Sequence, residues 1–221
     1  LKKIDYTQDE SFITDNPFEI QPILKIIDYV FKKYDVRASL DIEISSQLPS
    51  GSGLGSSAAV CVSSTSAILK ALDLDTDKEI ISKIAFEGEK IVHGTPSGID
   101  NTIATFGGSL KYQKGKIIPL RESSFELIVA NTGIKRNTKN WVTKVRSRYE
   151  KYKETIPVII EAMGKLVEEV ERILMNNDIN SLGEMLNINQ GLLDAIGVSI
   201  PELNRLIDIS RENGALGAKL T

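Results

Sequence analysis

The sequence has little of what several common functional sites require. Among its 221 residues there is one cysteine, Cys61, and one histidine, His93. One cysteine excludes an intrachain disulfide framework, and one cysteine with one histidine is too few for a Cys/His zinc site. The single histidine also leaves only one candidate for a histidine-dependent nucleophilic triad. Any catalysis within this chain must therefore use carboxylates, hydroxyls, lysines and backbone amides.

Two further absences concern partners. With 27 Lys and Arg against 30 Asp and Glu, the chain has a formal charge of −3 and lacks the basic excess that neutralises a phosphate backbone. No apolar run approaches the roughly 20 residues that span a bilayer, and no secretory leader precedes the first polar segment. We therefore expect a cytoplasmic protein that binds neither nucleic acid nor membrane.

The first part of the chain mixes strand and helix signals. Alternating apolar positions over 39–48 predict a half-buried strand that ends at Pro49 and leads through a glycine-rich turn into a buried helix. A capping-box pair, Thr76 and Glu79, predicts a second helix that stops near Gly94. The next segments predict a stretch over 94–108 that is loop-like at both ends, a hairpin over 111–120 turning at Lys114-Gly115, and a buried strand over 125–130.

From about residue 138 onward the pattern is helical. Pro157 suits the opening turn of one helix, another helix spans about 178–196, and a last one spans about 200–213. Ser199 and Glu202 form a second capping-box pair, and Gly214 is the expected stop. This shift from mixed structure to helix predicts a two-part α+β protein with a boundary near residue 120.

The glycine-rich turn reads PSGSGLGSSAA over 49–59. Glycines at 51, 53 and 55 let successive backbone N–H groups converge on one point, and the following helix adds the positive end of its dipole, so the turn suits a phosphate. No lysine completes a P-loop, and Ser56 stands where a dinucleotide site needs its third glycine. A connection that only allows tight strand-to-helix packing is the alternative interpretation.

A second cluster, EGEKIVHGTPSGIDN, spans 87–101. A carboxylate in a Pro/Gly-shaped loop suits the orientation or deprotonation of a hydroxyl, and a carboxylate on a helix suits Mg²⁺. Helical periodicity does not choose between Glu87 and Glu89, since each flanks the apolar arc of the helix. For His93, a lone histidine at the end of a helix, a capping or packing role is favoured over a chemical one, and we assign it no chemistry.

The turn at 49–59 resembles the nucleotide-binding motif of the GHMP kinases, the family named for galactokinase, homoserine kinase, mevalonate kinase and phosphomevalonate kinase. The resemblance implies ATP and Mg²⁺ as cofactors, with the Ser57 hydroxyl contacting the metal. It also implies a two-domain α+β fold: a nucleotide-binding domain over 1–120 that resembles the ribosomal protein S5 domain 2-like fold, and a helix-rich α/β domain over 121–221. The residues implied to wrap the ATP phosphates are Gly51, Ser52, Gly53, Leu54, Gly55, Ser56 and Ser57.

The segment HGTPSGIDN resembles the mevalonate kinase version of the family's active-site loop. This resemblance implies that Asp100 is the catalytic carboxylate, Glu89 a magnesium ligand and Ser97 a substrate contact. NTGIKRNTK, over 131–139, resembles a segment in which a threonine, here Thr138, faces the substrate; a helix N-cap is the alternative. GALGAKLT, over 214–221, resembles the opening of the family's third motif.

The function that follows is transfer of the ATP γ-phosphoryl group to the primary hydroxyl of mevalonate, giving 5-phosphomevalonate for isoprenoid precursor synthesis. The alternatives are another small-alcohol kinase of the family, such as a phosphomevalonate kinase, and a GHMP-fold protein that binds ligand without catalysis. Nothing in residues 1–50 matches the family's first motif, and the third motif stops at Thr221. We therefore expect a chain shortened at both ends, with little activity by itself; a homodimer is compatible with the sequence, which does not determine the assembly.

Overall fold

The computed structural model describes residues 2–6, 17–48, 53–113, 115–121, 124–134 and 138–221. Two antiparallel pairs of strands are formed within them, β1 with β2 and β3 with β4. The strands are β1 (Lys2–Tyr6), β2 (Leu40–Ile44), β3 (Leu110–Gln113) and β4 (Lys116–Pro119). The helices are α1 (Pro17–Tyr34), α2 (Ser56–Ala71), α3 (Lys78–His93), α4 (Ile99–Phe106), α5 (Thr138–Lys151), α6 (Ile156–Met175), α7 (Ile179–Ala195) and α8 (Pro201–Glu212).

The chain divides into two compact units. The first unit comprises Leu1–Gly108 and Tyr112–Ile117, and the second comprises Ser109–Lys111 and Ile118–Thr221. The strand predicted over 39–48 is present as the shorter β2, and the hairpin predicted over 111–120 is confirmed as β3 and β4. None of the helices in the described ranges is both long and apolar enough to cross a lipid bilayer.

The core of the first unit lies between α1, α2 and α3. Helix α1 has isoleucine and valine at intervals of three and four residues, so one face of it is apolar. That face is closed by small and aliphatic side chains of α2 and α3, and each fully buried isoleucine contributes about 1.5–3 kcal/mol. The buried residues are Ile20, Ile23, Ile26, Ile27 and Val30 from α1, Cys61, Ile68 and Leu69 from α2, and Ile81, Ile84 and Ala85 from α3.

Gly88 allows α1 and α3 to approach closely. A Cβ atom at this position would lie 2.9 Å from Ile26 Cδ1, 3.0 Å from Cys61 Sγ and 3.1 Å from the Pro22 carbonyl oxygen. Two of these three atoms belong to α1 and one to α2. A larger residue would therefore push the helices apart at the position next to Glu89.

Both predicted capping boxes are wrong. Helix α3 is capped by Asp77, whose carboxylate accepts the N–H groups of Glu79 and Ile80, because its charged oxygen is the stronger acceptor beside Thr76. Helix α8 has Ile200 at its N-cap and Pro201 in its first turn, and the Ser199 hydroxyl is bonded elsewhere. In contrast, three predictions are confirmed: Pro157 lies in the opening turn of α6, α7 begins directly after Asp178, and α3 stops at Gly94.

The buried strand predicted over 125–130 is also wrong. In the structure this segment has no regular secondary structure, and the exposed fractions of Leu127, Ile128 and Val129 are 71%, 94% and 53%. An apolar run becomes a buried strand only when another strand satisfies its backbone groups and another layer covers it. The described residues supply no strand partner for this segment.

The second unit is helical and ends in a segment held by polar side chains. Asn187 on α7 donates from Nδ2 to the Leu216 carbonyl (3.1 Å), and its Oδ1 accepts the Ala218 N–H (3.1 Å). Gln190, one turn further along α7, accepts the Leu220 N–H at 2.8 Å. Residues 214–221, which we call the terminal segment, are thus held against α7 by hydrogen bonds between α7 side chains and the segment's backbone groups.

Candidate active site

The glycine-rich turn delivers the chain to the N-terminus of α2. Gly53 and Gly55 have φ angles of 81° and 67°, in the left-handed region that favours glycine. Gly55 is the N-cap, and a Cβ atom there would meet nothing within 4 Å, so the backbone conformation rather than space demands glycine. Of the predicted phosphate-binding residues, Gly51 and Ser52 lie outside the described residues.

The start of α2 suits an anion. The first N–H groups of a helix have no partner within it, and the helix dipole makes this end positive. The first turn of α2 carries no acidic side chain that would compete for these groups. Ser56 and Ser57 are its first two residues, so their backbone amides lie at this positive end of the helix.

The structure brings Ser57 and Glu89 together. The Ser57 hydroxyl on α2 donates to Glu89 Oε1 on α3 at 2.6 Å, although the two residues are 32 positions apart in the sequence. Glu89 is only 2% exposed, whereas Glu87 pairs with the exposed Lys90 at 2.6 Å. Packing therefore distinguishes the two glutamates, which helical periodicity does not: Glu89 is buried, and Glu87 is paired with a surface lysine.

Two further side chains lie beside the Glu89 carboxylate. The Cys61 thiol donates to Oε1 at 3.6 Å, and His93 Nε2 lies 3.5 Å from Oε2. Burial, together with the neighbouring Glu89 carboxylate, raises the pKa of the Cys61 thiol to about 12, so this group stays protonated and acts as a donor. Sequence reasoning missed both contacts, although Cys61 is four residues after Ser57 and His93 four after Glu89, the spacing of neighbours on a helix face.

The Ser57 and Glu89 pair fits a magnesium ion. A hydroxyl and a carboxylate are the hard oxygen donors that Mg²⁺ prefers, and a carboxylate shielded from water gains from a compensating cation. No group of three or more His, Cys, Asp or Glu side chains suited to a metal occurs in the part of the chain that the structure describes. This donor set matches Mg²⁺, which commonly takes one or two carboxylates and completes its shell with water and phosphate oxygens.

Asp100 lies in the first turn of α4, a helix in the middle of the stretch over 94–108 whose two ends the sequence presents as loop-like. Its side chain is exposed, and it forms no hydrogen bond or ion pair with the described residues. The flanking residues are held: Ser97 Oγ accepts the Ile99 N–H at 3.3 Å, and buried Asn101 donates to the Ser82 carbonyl at 3.1 Å. Asp100 is therefore an exposed carboxylate on a fixed backbone.

Thr138 is the first residue of α5 and belongs to the second unit. The other predicted substrate contact, Ser97, belongs to the first unit, three residues before Asp100. Of the predicted site residues, Ser57 and Glu89 are in direct contact in the structure. Ser97 and Asp100 are three positions apart in the sequence and lie at the start of the same helix. Tyr112, which contacts the Ser97 backbone, was not predicted, because nothing in the sequence links a hairpin residue to this loop.

Two family models match the chain. Residues 21–108 match the GHMP kinases N terminal domain, and residues 158–221 match the GHMP kinases C terminal model.

Curated relatives cover nearly the whole chain. The mevalonate kinase of Pyrococcus horikoshii is 39% identical over 227 residues, covering 99% of this chain and 68% of the relative. That of Pyrococcus abyssi is 42% identical, covering 88% of this chain and 60% of the relative. The human mevalonate kinase is 33% identical, covering 100% of this chain and 61% of the relative. The chain thus spans about 60–68% of the length of these relatives.

Solved structures give the same picture. The crystal structure of L. major mevalonate kinase in complex with R-mevalonate matches with a TM-score of 0.72 and 29% identity, covering 93% of this chain and 67% of that chain. The Methanococcus jannaschii mevalonate kinase matches with a TM-score of 0.75 and 22% identity, covering 96% of this chain and 69% of that chain, a likeness of fold alone.

Proposed function

The chain belongs to the GHMP kinase family, and from this premise we propose that the protein transfers the γ-phosphoryl group of ATP to the primary hydroxyl of mevalonate, giving 5-phosphomevalonate. Membership confirms the resemblance read from the two glycine-containing motifs, and with it the two-domain α+β fold. The choice of mevalonate is supported by the named relatives and by the R-mevalonate in the L. major structure.

The observation that carries the proposal is the hydrogen bond between Ser57 and Glu89 at the start of α2. It joins a free helix N-terminus, which suits phosphate, to a buried carboxylate, which suits a cation. We propose that these two side chains hold the magnesium ion of the nucleotide. When bound, that ion supplies positive charge to the phosphate oxygens as the γ-phosphoryl group is transferred.

The chain's own residues then bind the nucleotide phosphates and orient the substrate. The amides of Gly53 to Ser57 and the Ser56 hydroxyl bind the phosphate oxygens, which fixes the γ-phosphorus relative to α2. Ser97 and Thr138 contact the substrate. Transfer requires the substrate hydroxyl to lie in line with the γ-phosphorus and its leaving oxygen.

Asp100 orients the substrate hydroxyl and accepts its proton. Its exposure leaves the carboxylate free to meet a bound alcohol, and a carboxylate within hydrogen-bond reach of a hydroxyl can accept its proton. The alcohol oxygen forms a bond to the γ-phosphorus, the bond between that phosphorus and the bridging oxygen breaks, ADP departs, and the proton passes to Asp100.

The domain assignment is part of this proposal. We assign residues 1–120 to the nucleotide-binding domain and 121–221 to the C-terminal domain. The matched ranges 21–108 and 158–221 support this division, as does the change of unit between residues 108 and 118. The proposal also includes a cytoplasmic location, where ATP is available, and a homodimer, which sedimentation of the full-length gene product would test.

The experiment uses the full-length gene product that contains these 221 residues, assayed with ATP, Mg²⁺ and one alcohol at a time: mevalonate, 5-phosphomevalonate, galactose or homoserine. We expect turnover of mevalonate far above the others. Turnover of another alcohol without turnover of mevalonate would replace the substrate and keep the reaction class. Binding of ATP without turnover of any alcohol would indicate a ligand-binding protein of the same fold.

A further inference from the structure

The loop that precedes α4 is tied to hairpin strand β3. The Tyr112 hydroxyl donates to the Ser97 backbone carbonyl at 2.7 Å, across 15 positions of sequence. Ser97 directly precedes Gly98, the N-cap residue of α4, and Asp100 follows two positions later. One side-chain hydroxyl thus holds the backbone from which the proposed catalytic carboxylate emerges.

Gly98 shows how closely the tyrosine approaches this backbone. Its φ angle is 85°, and a Cβ atom there would lie 2.8 Å from Tyr112 Oη and 3.5 Å from Phe86 Cε2. Any other residue would therefore clash with the hydroxyl and also adopt a strained backbone conformation. The hydroxyl of Tyr112 and the N-terminus of α4 fit together only because this position lacks a side chain.

The opposite side of α4 is tied to α3. Asn101, which is 4% exposed, donates to the Ser82 carbonyl at 3.1 Å and to the Ser82 hydroxyl at 3.0 Å. Thr102 closes the first turn by donating its hydroxyl to the Gly98 carbonyl at 2.6 Å. Asp100 is exposed between the Ser97 contact and the Asn101 contact, so these two ties fix the direction of its Cα–Cβ bond.

We propose that Tyr112 is a positioning residue for Asp100: its hydroxyl fixes the Ser97 carbonyl and thereby sets the first turn of α4 and the aim of the carboxylate. This inference rests on the proposed kinase function. The Asn101 tie remains when the hydroxyl is removed, so the helix persists and only its N-terminal end gains freedom. A shift of about 1 Å at a reacting group can lower a rate a hundredfold, and a partly tethered turn should lose less.

The test compares Tyr112→Phe with Tyr149→Phe in the full-length gene product. Tyr149 lies on α5, is 46% exposed and has no hydrogen bond within the described residues, so the control removes an equivalent hydroxyl elsewhere. We expect Tyr112→Phe to lower kcat about tenfold while KM for ATP stays near the wild-type value. The control should match the wild type in both constants.

A second readout needs neither substrate nor metal. Hydrogen exchange of the α4 amides, including the Thr102 N–H that bonds the Gly98 carbonyl, should be faster by about threefold or more in Tyr112→Phe and unchanged in Tyr149→Phe.

Three results would overturn the inference. Unchanged amide exchange in α4 would show that the Tyr112 hydroxyl does not hold this helix. A wild-type kcat in Tyr112→Phe would show that the hydroxyl does not position Asp100. A parallel loss of kcat, ATP affinity and melting temperature would reduce Tyr112 to a structural residue. If the wild-type protein does not phosphorylate mevalonate, the proposed function and the positioning role fail together, while exchange still decides whether the tie exists.

Discussion

The two units hold their functional segments by different physical means. In the first unit, the Glu89 carboxylate is buried among helices that share a fully enclosed apolar core; Ile26, Ile27, Val30, Leu69 and Ile84 are 0% exposed. In the second unit, the buried apolar side chains of the described residues range from 5% to 9% exposed, and the terminal segment is held by Asn187 and Gln190. Close packing fixes one element, and side-chain amides fix the other.

We therefore expect the two units to respond differently to mutation, the first to changes of side-chain volume and the second to loss of hydrogen-bonding groups. A packed core transmits a change of volume because few voids absorb it, so the geometry around Glu89 depends on residues with no chemistry of their own, such as Gly88. The terminal segment depends in addition on a few polar atoms, those of the Asn187 and Gln190 side chains that bond its backbone. The predictions below test this contrast.

The largest effect should come from an exposed residue of the first unit, whose removal leaves the packing untouched. Asp100→Ala should lower kcat by about 10²–10⁴-fold, because the substrate hydroxyl loses its proposed base, while affinity for ATP changes little. The measurement is steady-state kinetics together with nucleotide titration. Asp208→Ala, an exposed aspartate on α8, is the matched control and should resemble the wild type. Equal losses of turnover and ATP affinity at Asp100 would argue against its catalytic role.

The same substitution should have opposite signs in helices of the two units. Gly88→Ala should lower the free energy of unfolding by about 1–3 kcal/mol, because its Cβ would overlap Ile26 and Cys61. Gly164→Ala on α6, where a Cβ would meet nothing within 4 Å, should raise it by about 0.5–1 kcal/mol. Urea unfolding measures both. Equal effects at the two positions would break the contrast between a tight and an open helix surface.

The terminal segment should loosen when its amide partner is removed. Asn187→Ala deletes the bonds to Leu216 and Ala218, so it should destabilise the second unit by about 1 kcal/mol and speed amide exchange in residues 214–221. Asn180→Ala, an exposed asparagine on the same helix, is the control. Unchanged exchange in the segment would mean that packing rather than Asn187 holds it.

The last prediction needs no substitution and concerns the reactivity of Cys61 in the unmutated chain. Cys61 is 1% exposed, and its pKa is raised to about 12 by burial and the Glu89 carboxylate, so the thiolate that reacts with alkylating reagents is scarce at pH 8. Iodoacetamide should leave the folded protein unlabelled at this pH and label Cys61 after unfolding in urea. Mass spectrometry gives the stoichiometry, and rapid labelling of the folded protein would show that the core around Glu89 is open to water.

Local signals predicted much of the fold and some of the site. Helix periodicity and proline placed α6 and α7, and the glycine motifs led to Ser57 and Glu89 through the family resemblance. Periodicity alone could not choose Glu89 over Glu87, because burial of one of them depends on α1 and α2, which lie far away in sequence. Helix α1 was not predicted, although its apolar residues recur at helical spacing.

The errors share a cause. At 125–130 the sequence has the apolar residues of a buried strand, but a strand needs partners that no local pattern supplies. At Thr76 and Ser199 the capping-box spacing is present, yet a competing carboxylate at Asp77 and a competing set of hydrogen bonds around Ser199 decide the outcome. The tie from Tyr112 to Ser97 is equally invisible, since it joins two elements by tertiary contact.

The one histidine of this chain lies 3.5 Å from the Glu89 carboxylate. In an NMR spectrum of the chain, the side-chain imidazole signals therefore come from one residue, at the proposed cation site. A paramagnetic ion such as Mn²⁺ bound there would broaden those signals, and a diamagnetic one would shift them. The molecule thus carries a native spectroscopic reporter at its proposed metal site.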